Sequence, residues 1–118
     1  MSNELSIYAG LIFNKNGASV VTSESASVDV SGNDVVSDTQ NIGTSAETIS
    51  LPSDVSGVGY LLIKNLDDSN YITLGPTAED DLIRVDAGEF AFFRIAVLPV
   101  YVRADTATVK IQKTFIKA

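Results

Sequence analysis

From Leu5 to Phe13 the chain alternates strictly, with Leu5, Ile7, Ala9, Leu11 and Phe13 on one parity and mostly smaller or polar residues on the other. A period of two sends successive side chains to opposite faces of an extended backbone, so the segment reads as a half-buried β-strand. The same period returns down the whole chain, and no long stretch of helical period competes with it. The chain is therefore confined to an all-β fold. Its 118 residues are enough for one domain, since a chain of this size buries roughly two thirds of the surface its unfolded form exposes. Residues 1–118 are expected to form that domain, with 1–13 a strand or arm that pairs with a neighbour.

Turn residues divide the chain. Asn14-Lys15-Asn16-Gly17 tolerates positive φ and closes a first hairpin. Ala26, Val28 and Val30 then alternate with Ser25, Ser27 and Asp29 before a turn at Ser31-Gly32-Asn33-Asp34. Thr44 to Leu51 reads as a short strand, closed by Pro52-Ser53-Asp54, and Ser56-Gly57-Val58-Gly59 bends the chain onward. Tyr60-Leu61-Leu62-Ile63-Lys64-Asn65 and Tyr71-Ile72-Thr73-Leu74 flank Leu66-Asp67-Asp68-Ser69-Asn70, the pattern of a hairpin with an Asx-rich loop, ended by Gly75-Pro76.

Four more strands follow, Leu82 to Val85, Phe90 to Ile95, Val100 to Arg103 and Thr108 to Ile116, parted by Asp86-Ala87-Gly88-Glu89, Pro99 and Ala104-Asp105-Thr106. Eight or nine antiparallel strands with such regular turns predict a single β-sandwich of jelly-roll or Greek-key type. Lys113 shares its parity with Val109, Ile111 and Phe115. It must either snorkel at a rim or sit beyond a bulge that shifts the register.

The residue inventory removes most chemistry. With no His and no Cys, a Ser-His-Asp triad, a cysteine nucleophile, disulfides and most zinc sites are excluded. Glu79-Asp80-Asp81 and Asp67-Asp68 are the close carboxylate clusters, but adjacent strand residues point to opposite faces and do not converge on one substrate atom. Asp67-Asp68-Ser69-Asn70 carries oxygen ligands that calcium favours, without the spacing of a calcium loop; local turn hydrogen bonds are the commoner use. The expectation is a chain with no catalytic residues, no metal and no cofactor.

The net charge of −7 is uneven: residues 1–63 hold seven acids against Lys15 alone, and residues 64–118 hold eight acids against seven bases. Such a surface repels phosphate backbones, so nucleic acid is not an expected partner. Arg84, Arg94, Arg103 and Lys110 are then solvated strand positions or partners of nearby carboxylates. No apolar run approaches the length of a membrane span, and Met1-Ser2-Asn3-Glu4 lacks the basic region of a signal peptide. A soluble, unprocessed chain is expected.

Apolar residues on both parities suggest cover by another molecule. In Phe90-Ala91-Phe92-Phe93, alternation buries Phe90 and Phe92 and leaves Phe93 on the outer face; Leu61-Leu62-Ile63 and Leu11-Ile12-Phe13 repeat the pattern. The contact residues expected are Leu62, Phe93 and Tyr101, each placed opposite the core by its strand pattern. Tyr8, Tyr60, Tyr71 and Tyr101 are alternatively a sugar-stacking platform, although core and interface use of tyrosine is commoner.

Thr39-Gln40-Asn41-Ile42-Gly43-Thr44-Ser45-Ala46-Glu47, followed by Gly59 through Asp67 and Tyr71-Ile72-Thr73-Leu74-Gly75, resembles the small β-rich virion proteins of tailed bacteriophages. The runs Ala87-Gly88-Glu89-Phe90 and Val102-Arg103-Ala104-Asp105-Thr106-Ala107 fit the same pattern, so the resemblance spans roughly residues 18–118. It implies a non-enzymatic part of a phage particle, made in the host cytoplasm and resident in the virion. The expected role is a capsid decoration or cement protein that binds the major capsid protein and itself, as a homodimer or homotrimer. The alternative is a tail or tail-fibre β-sandwich that binds host-surface carbohydrate.

Overall fold

A computed structural model of the chain describes residues 4–30, 34–51, 58–96 and 98–117. Among them are ten strands and no helix. The chain divides into two compact units, residues 1–31 and 32–118.

The first unit is a β-hairpin of β1 (Leu5–Lys15) and β2 (Ala18–Val28), paired antiparallel from Leu5↔Val28 to Lys15↔Ala18. Asn16 (φ 51°) and Gly17 (φ 86°) form its two-residue turn. Positive φ at both central positions gives the turn the twist that paired strands require, and Asn-Gly supplies it at least cost. At the base, the Val30 amide donates to Glu4 Oε1 at 2.9 Å.

The second unit holds two four-stranded antiparallel sheets. One runs β3 (Val35–Ile42), β10 (Val109–Lys117), β5 (Gly59–Asn65), β8 (Phe90–Arg94). The other runs β4 (Glu47–Thr48), β9 (Tyr101–Ala104), β6 (Ile72–Gly75), β7 (Ile83–Val85). Both feed one apolar cluster: Ile42, Leu61, Ile63, Ile111 and Phe115 from the first, Ile72, Leu74, Val85 and Val102 from the second. Fully burying side chains of this kind contributes about 1.5–3 kcal/mol each. Ten strands in three sheets thus stand where one sandwich of eight or nine was expected.

Three expectations are corrected. The segments around Leu61 and Ile72 are strands, but β5 and β6 lie in different sheets, so the Asx-rich loop crosses between sheets and closes no hairpin. Asn65, fully buried, anchors that crossing: its Nδ2 donates to the carbonyls of Asn70 (2.9 Å) and Val85 (3.1 Å), and its Oδ1 accepts from the Asp67 amide (2.8 Å). The strand expected from Thr44 to Leu51 shrinks to Glu47–Thr48, while β3 forms just before it. Within that region Gln40 bridges backbone and side chain, donating to Thr48 O and Glu47 Oε1 and accepting from the Ser50 amide. Lastly, β8 has the opposite facing to that expected, as described below. Of the turns expected at 31–34, 52–54 and 56–59, residues 31–33 and 52–57 lie outside the described residues.

The alternatives for Lys113 resolve without a bulge. Its register with Asp38 on β3 and Ile63 on β5 is continuous. The side chain is buried on the inner face, and its Nζ reaches Asp38 Oδ1 at 2.7 Å, where the carboxylate is 56% exposed. This is a snorkelling lysine on a core face.

Candidate functional site

Pairing fixes what the outer face of the β3-β10-β5-β8 sheet presents. Leu62 lies between Thr114 and Phe92, Lys64 between Gln112 and Phe90, and Tyr60 between Ile116 and Arg94. Their strand neighbours Leu61, Ile63 and Phe115 point into the core. The outer face therefore carries Phe90 at 69%, Phe92 at 42% and Leu62 at 40% exposure. A depression of about 250 Å³ opens among Leu62, Lys64, Phe90, Gln112 and Thr114.

The patch is ordered by ring contacts. Phe92 stacks on Tyr60 with centroids 6.0 Å apart and planes 5° from parallel. Arg94 donates from Nη1 to Tyr60 Oη at 3.0 Å, its guanidinium carbon 5.1 Å from the ring centroid. A cation over a ring face adds to the attraction and holds the phenol in place. The aromatic surface also borders a strand edge, because among the described residues β8 ends its sheet. An apolar edge strand with unpaired backbone groups is a template for another chain.

Of the three expected contact residues, Leu62 is on this face. Phe93 is a correction: it pairs with Leu61 and packs against the core, half-buried. Tyr101, half-buried, pairs with Gly75 in the other sheet, beside the inward Val102. The three are not brought together. Phe90 and Phe92, read from the sequence as core, are the surface residues instead. Arg94, on their parity, is the signal that marks this side of β8 as the solvent side.

The other sheet has a polar depression of about 180 Å³ lined by Thr44, Tyr71, Thr73, Asp81, Arg103, Ala104 and Asp105. Asp81 accepts from Thr73 Oγ1 at 3.0 Å and pairs with Arg103. Arg84 lies 3.8 Å over the Tyr71 ring and pairs with Asp86 at 2.6 Å. Arg84 and Arg103 are thus partnered by carboxylates on one sheet, whereas Arg94 and Lys110 sit on the other. Within the second unit the tyrosines are divided: Tyr60 is buried on the first sheet, while Tyr101 is on β9 and Tyr71 immediately precedes β6 in the second.

The carboxylate runs are engaged locally. Asp67 Oδ2 accepts from the amides of Asn70 (2.7 Å) and Ser69 (3.1 Å), and these bonds hold its carboxyl below the ordinary range. Asp80 Oδ2 accepts from Thr77 Oγ1 at 2.9 Å. Among the described residues no three acids are grouped as a metal site, and no buried side-chain nitrogen or oxygen lacks a hydrogen-bond partner. What the arrangement offers chemically is an exposed apolar surface on one sheet and a smaller polar depression on the other. Comparison of the chain with protein-family models, curated proteins and solved structures finds no match.

Proposed function

We propose that the protein is a non-enzymatic structural subunit of a bacteriophage virion, a capsid decoration protein that stabilises the shell by binding the major capsid protein. Residues 34–117 are read as a single jelly-roll sandwich. The orders β3-β10-β5-β8 and β4-β9-β6-β7 are those of eight strands wound as two Greek keys. The observation that carries the reading is the outward apolar patch of Leu62, Phe90 and Phe92 beside β8, the last strand of its sheet among the described residues. A strand face that solvent alone covered would place polar residues there. The resemblance to small phage virion proteins supplies the choice of particle.

The mechanism is burial of added interface. A standard interface removes about 800 Å² per partner, and a ligand that binds only the assembled shell shifts its equilibrium away from disassembly. The partners proposed are the major capsid protein and further copies of this chain, with no role for nucleic acid or membrane. The test mixes the purified protein with genome-filled shells that lack it and scores retention by sedimentation. Saturable retention is expected, with Phe92→Asp abolishing it while the β circular-dichroism signal is unchanged. Absence of retention by the unaltered protein refutes the reading.

The second reading is a carbohydrate-binding module of a tail or tail fibre. It is favoured by the polar depression around Tyr71, Asp81, Arg103 and Asp105, which offers hydroxyl donors and acceptors beside an aromatic ring. A glycan array without a hit, in calcium or in chelator, removes it.

A further inference from the structure

We propose that the β1–β2 hairpin joins two copies of this chain, face to face and head to tail, across a two-fold axis. This deepens the self-association proposed above by naming the segment and the symmetry. A two-stranded ribbon is at best marginally stable alone in water. In this one no described residue from 4 to 30 is buried. It nevertheless exposes Tyr8, Leu11, Ile12, Phe13, Val20 and Val21.

The two faces of the ribbon differ. Residues paired across the ladder share a face. One face carries Ser6 and Ser27, Tyr8 and Ser25, Gly10 and Ser23, Ile12 and Val21, Asn14 and Ser19. The other carries Leu5 and Val28, Ile7 and Ala26, Ala9 and Glu24, Leu11 and Thr22, Phe13 and Val20, Lys15 and Ala18. That second face is the continuous apolar one. Leu5, Ile7 and Val28 near the base are half-buried, whereas the distal part is open, with Leu11 67% and Phe13 50% exposed.

Charge decides how two such faces meet. The distal face has one cation, Lys15, and one anion, Glu24, at rungs about 20 Å apart along the ribbon. Ribbons laid in the same direction bring Lys15 to Lys15 and Glu24 to Glu24, and like charges brought together oppose the contact. Ribbons laid in opposite directions, with the axis at the rung of Ile12, place β1 over β1. Leu11 then meets Phe13 of the second copy, and Thr22 meets its Val20. Lys15 falls over the small Ala9 of the second copy, beside its Glu24, and Ala18 leaves room for the second copy's Glu24 in the same way. The face is self-complementary in shape and charge in that one direction.

Its size sets the strength. The eight distal residues of this face offer about 500 Å² per copy, or about 1,000 Å² in all, the lower bound of specific interfaces. The dimer is therefore expected to dissociate on dilution, and more readily in salt.

The test is sedimentation equilibrium of the full chain over a range of concentrations at low salt. A monomer–dimer equilibrium is expected. Lys15→Glu or Glu24→Lys alone raises the dissociation constant about tenfold or more, and the double swap returns it to within about threefold. Joint neutralisation by Lys15→Ala and Glu24→Ala weakens the dimer, and serves if a reversal unfolds the hairpin. A monomer at every concentration, a trimer, tightening on neutralisation, or reversals that the swap does not rescue would each overturn the proposal. Retention on shells is scored separately, so a monomer that still binds shells refutes the hairpin dimer and spares the docking reading.

Discussion

Replacing Lys113 and replacing its partner Asp38 should have opposite effects on stability. The ammonium is buried on a core face between Ile63 and β3, 2.7 Å from a carboxylate that is itself largely in water. Lys113→Met keeps the stem and removes the buried charge; the exposed Asp38 is left to water. A change between neutral and about 2 kcal/mol more stable is expected, because a buried ion pair seldom repays its desolvation. Asp38→Ala does the reverse, leaving the ammonium under the sheet without a counter-ion. For fully buried pairs that costs about 3–5 kcal/mol; the exposure of Asp38 and the reach of the lysine stem lower it to about 1–3 kcal/mol. The variants are then about 1–5 kcal/mol apart, and at about 4–8 °C per kcal/mol for a domain of this size they should melt at least about 4 °C apart. Urea and thermal unfolding of both single variants and the double variant measure this, the double variant tracking Lys113→Met. A Lys113→Met protein as destabilised as Asp38→Ala would refute the argument. β3 is also an edge whose inward charge is Asp38, and inward charge discourages edge pairing, so Asp38→Ala should aggregate more readily as well as melt lower.

Phe93→Ala should cost about 2–4 kcal/mol in urea unfolding and Phe90→Ala less than about 0.5 kcal/mol, since the first packs on the core and the second faces water; equal losses would reverse the facing assigned to β8. Gly75→Ala should cost about 2–4 kcal/mol, because the added Cβ would lie 1.5 Å from the Asp80 carbonyl oxygen, a backbone atom that cannot swing aside. Asp67 has a carboxyl depressed below its ordinary 3.8 by the Asn70 and Ser69 amides. Its stabilisation is present above that value and is lost as pH falls through the lower folded value. Asp67→Ala should therefore be less stable than the parent at neutral pH and converge with it in acid, which unfolding at a series of pH values will show.

The hairpin was legible because a clean period of two met Asn16-Gly17, and both signals are local. The strands around Leu61, Ile72, Arg84, Val102 and Ile111 were legible for the same reason. Partnership was not. β5 and β6 look like neighbours across a short Asx loop, but Asn65 spends its side chain on a crossing between sheets, a bond invisible in spacing. β3 was hidden because Asp38 and Gln40 occupy inward positions, and only Lys113, Glu47 and Ser50, distant or out of strand, make them tolerable. Counting aromatics gave β8 the wrong facing. Two phenylalanines outvoted one, although register against Leu61 and Ile63 puts Phe93 and Ala91 inside. The apolar patch of Phe90 and Phe92 was missed through that inversion, while Leu62 was read on the outer face where it lies.

β10 is the latest of the ten strands in sequence, yet it lies inside its sheet, hydrogen-bonded to β3 on one side and β5 on the other. While the chain is being made, β3 and β5 leave the ribosome with nothing to fill the gap between them. Val36, Leu61 and Ile63 wait uncovered until Val109, Ile111 and Phe115 arrive. The second unit therefore cannot close before β10 has emerged, whereas the hairpin, whose contacts are all local, can form as soon as Val28 emerges. A ribosome that stalls before Val109 would hold out a half-made sheet with a gap between β3 and β5, so the arrival of β10 governs how long this unit needs protection from its neighbours.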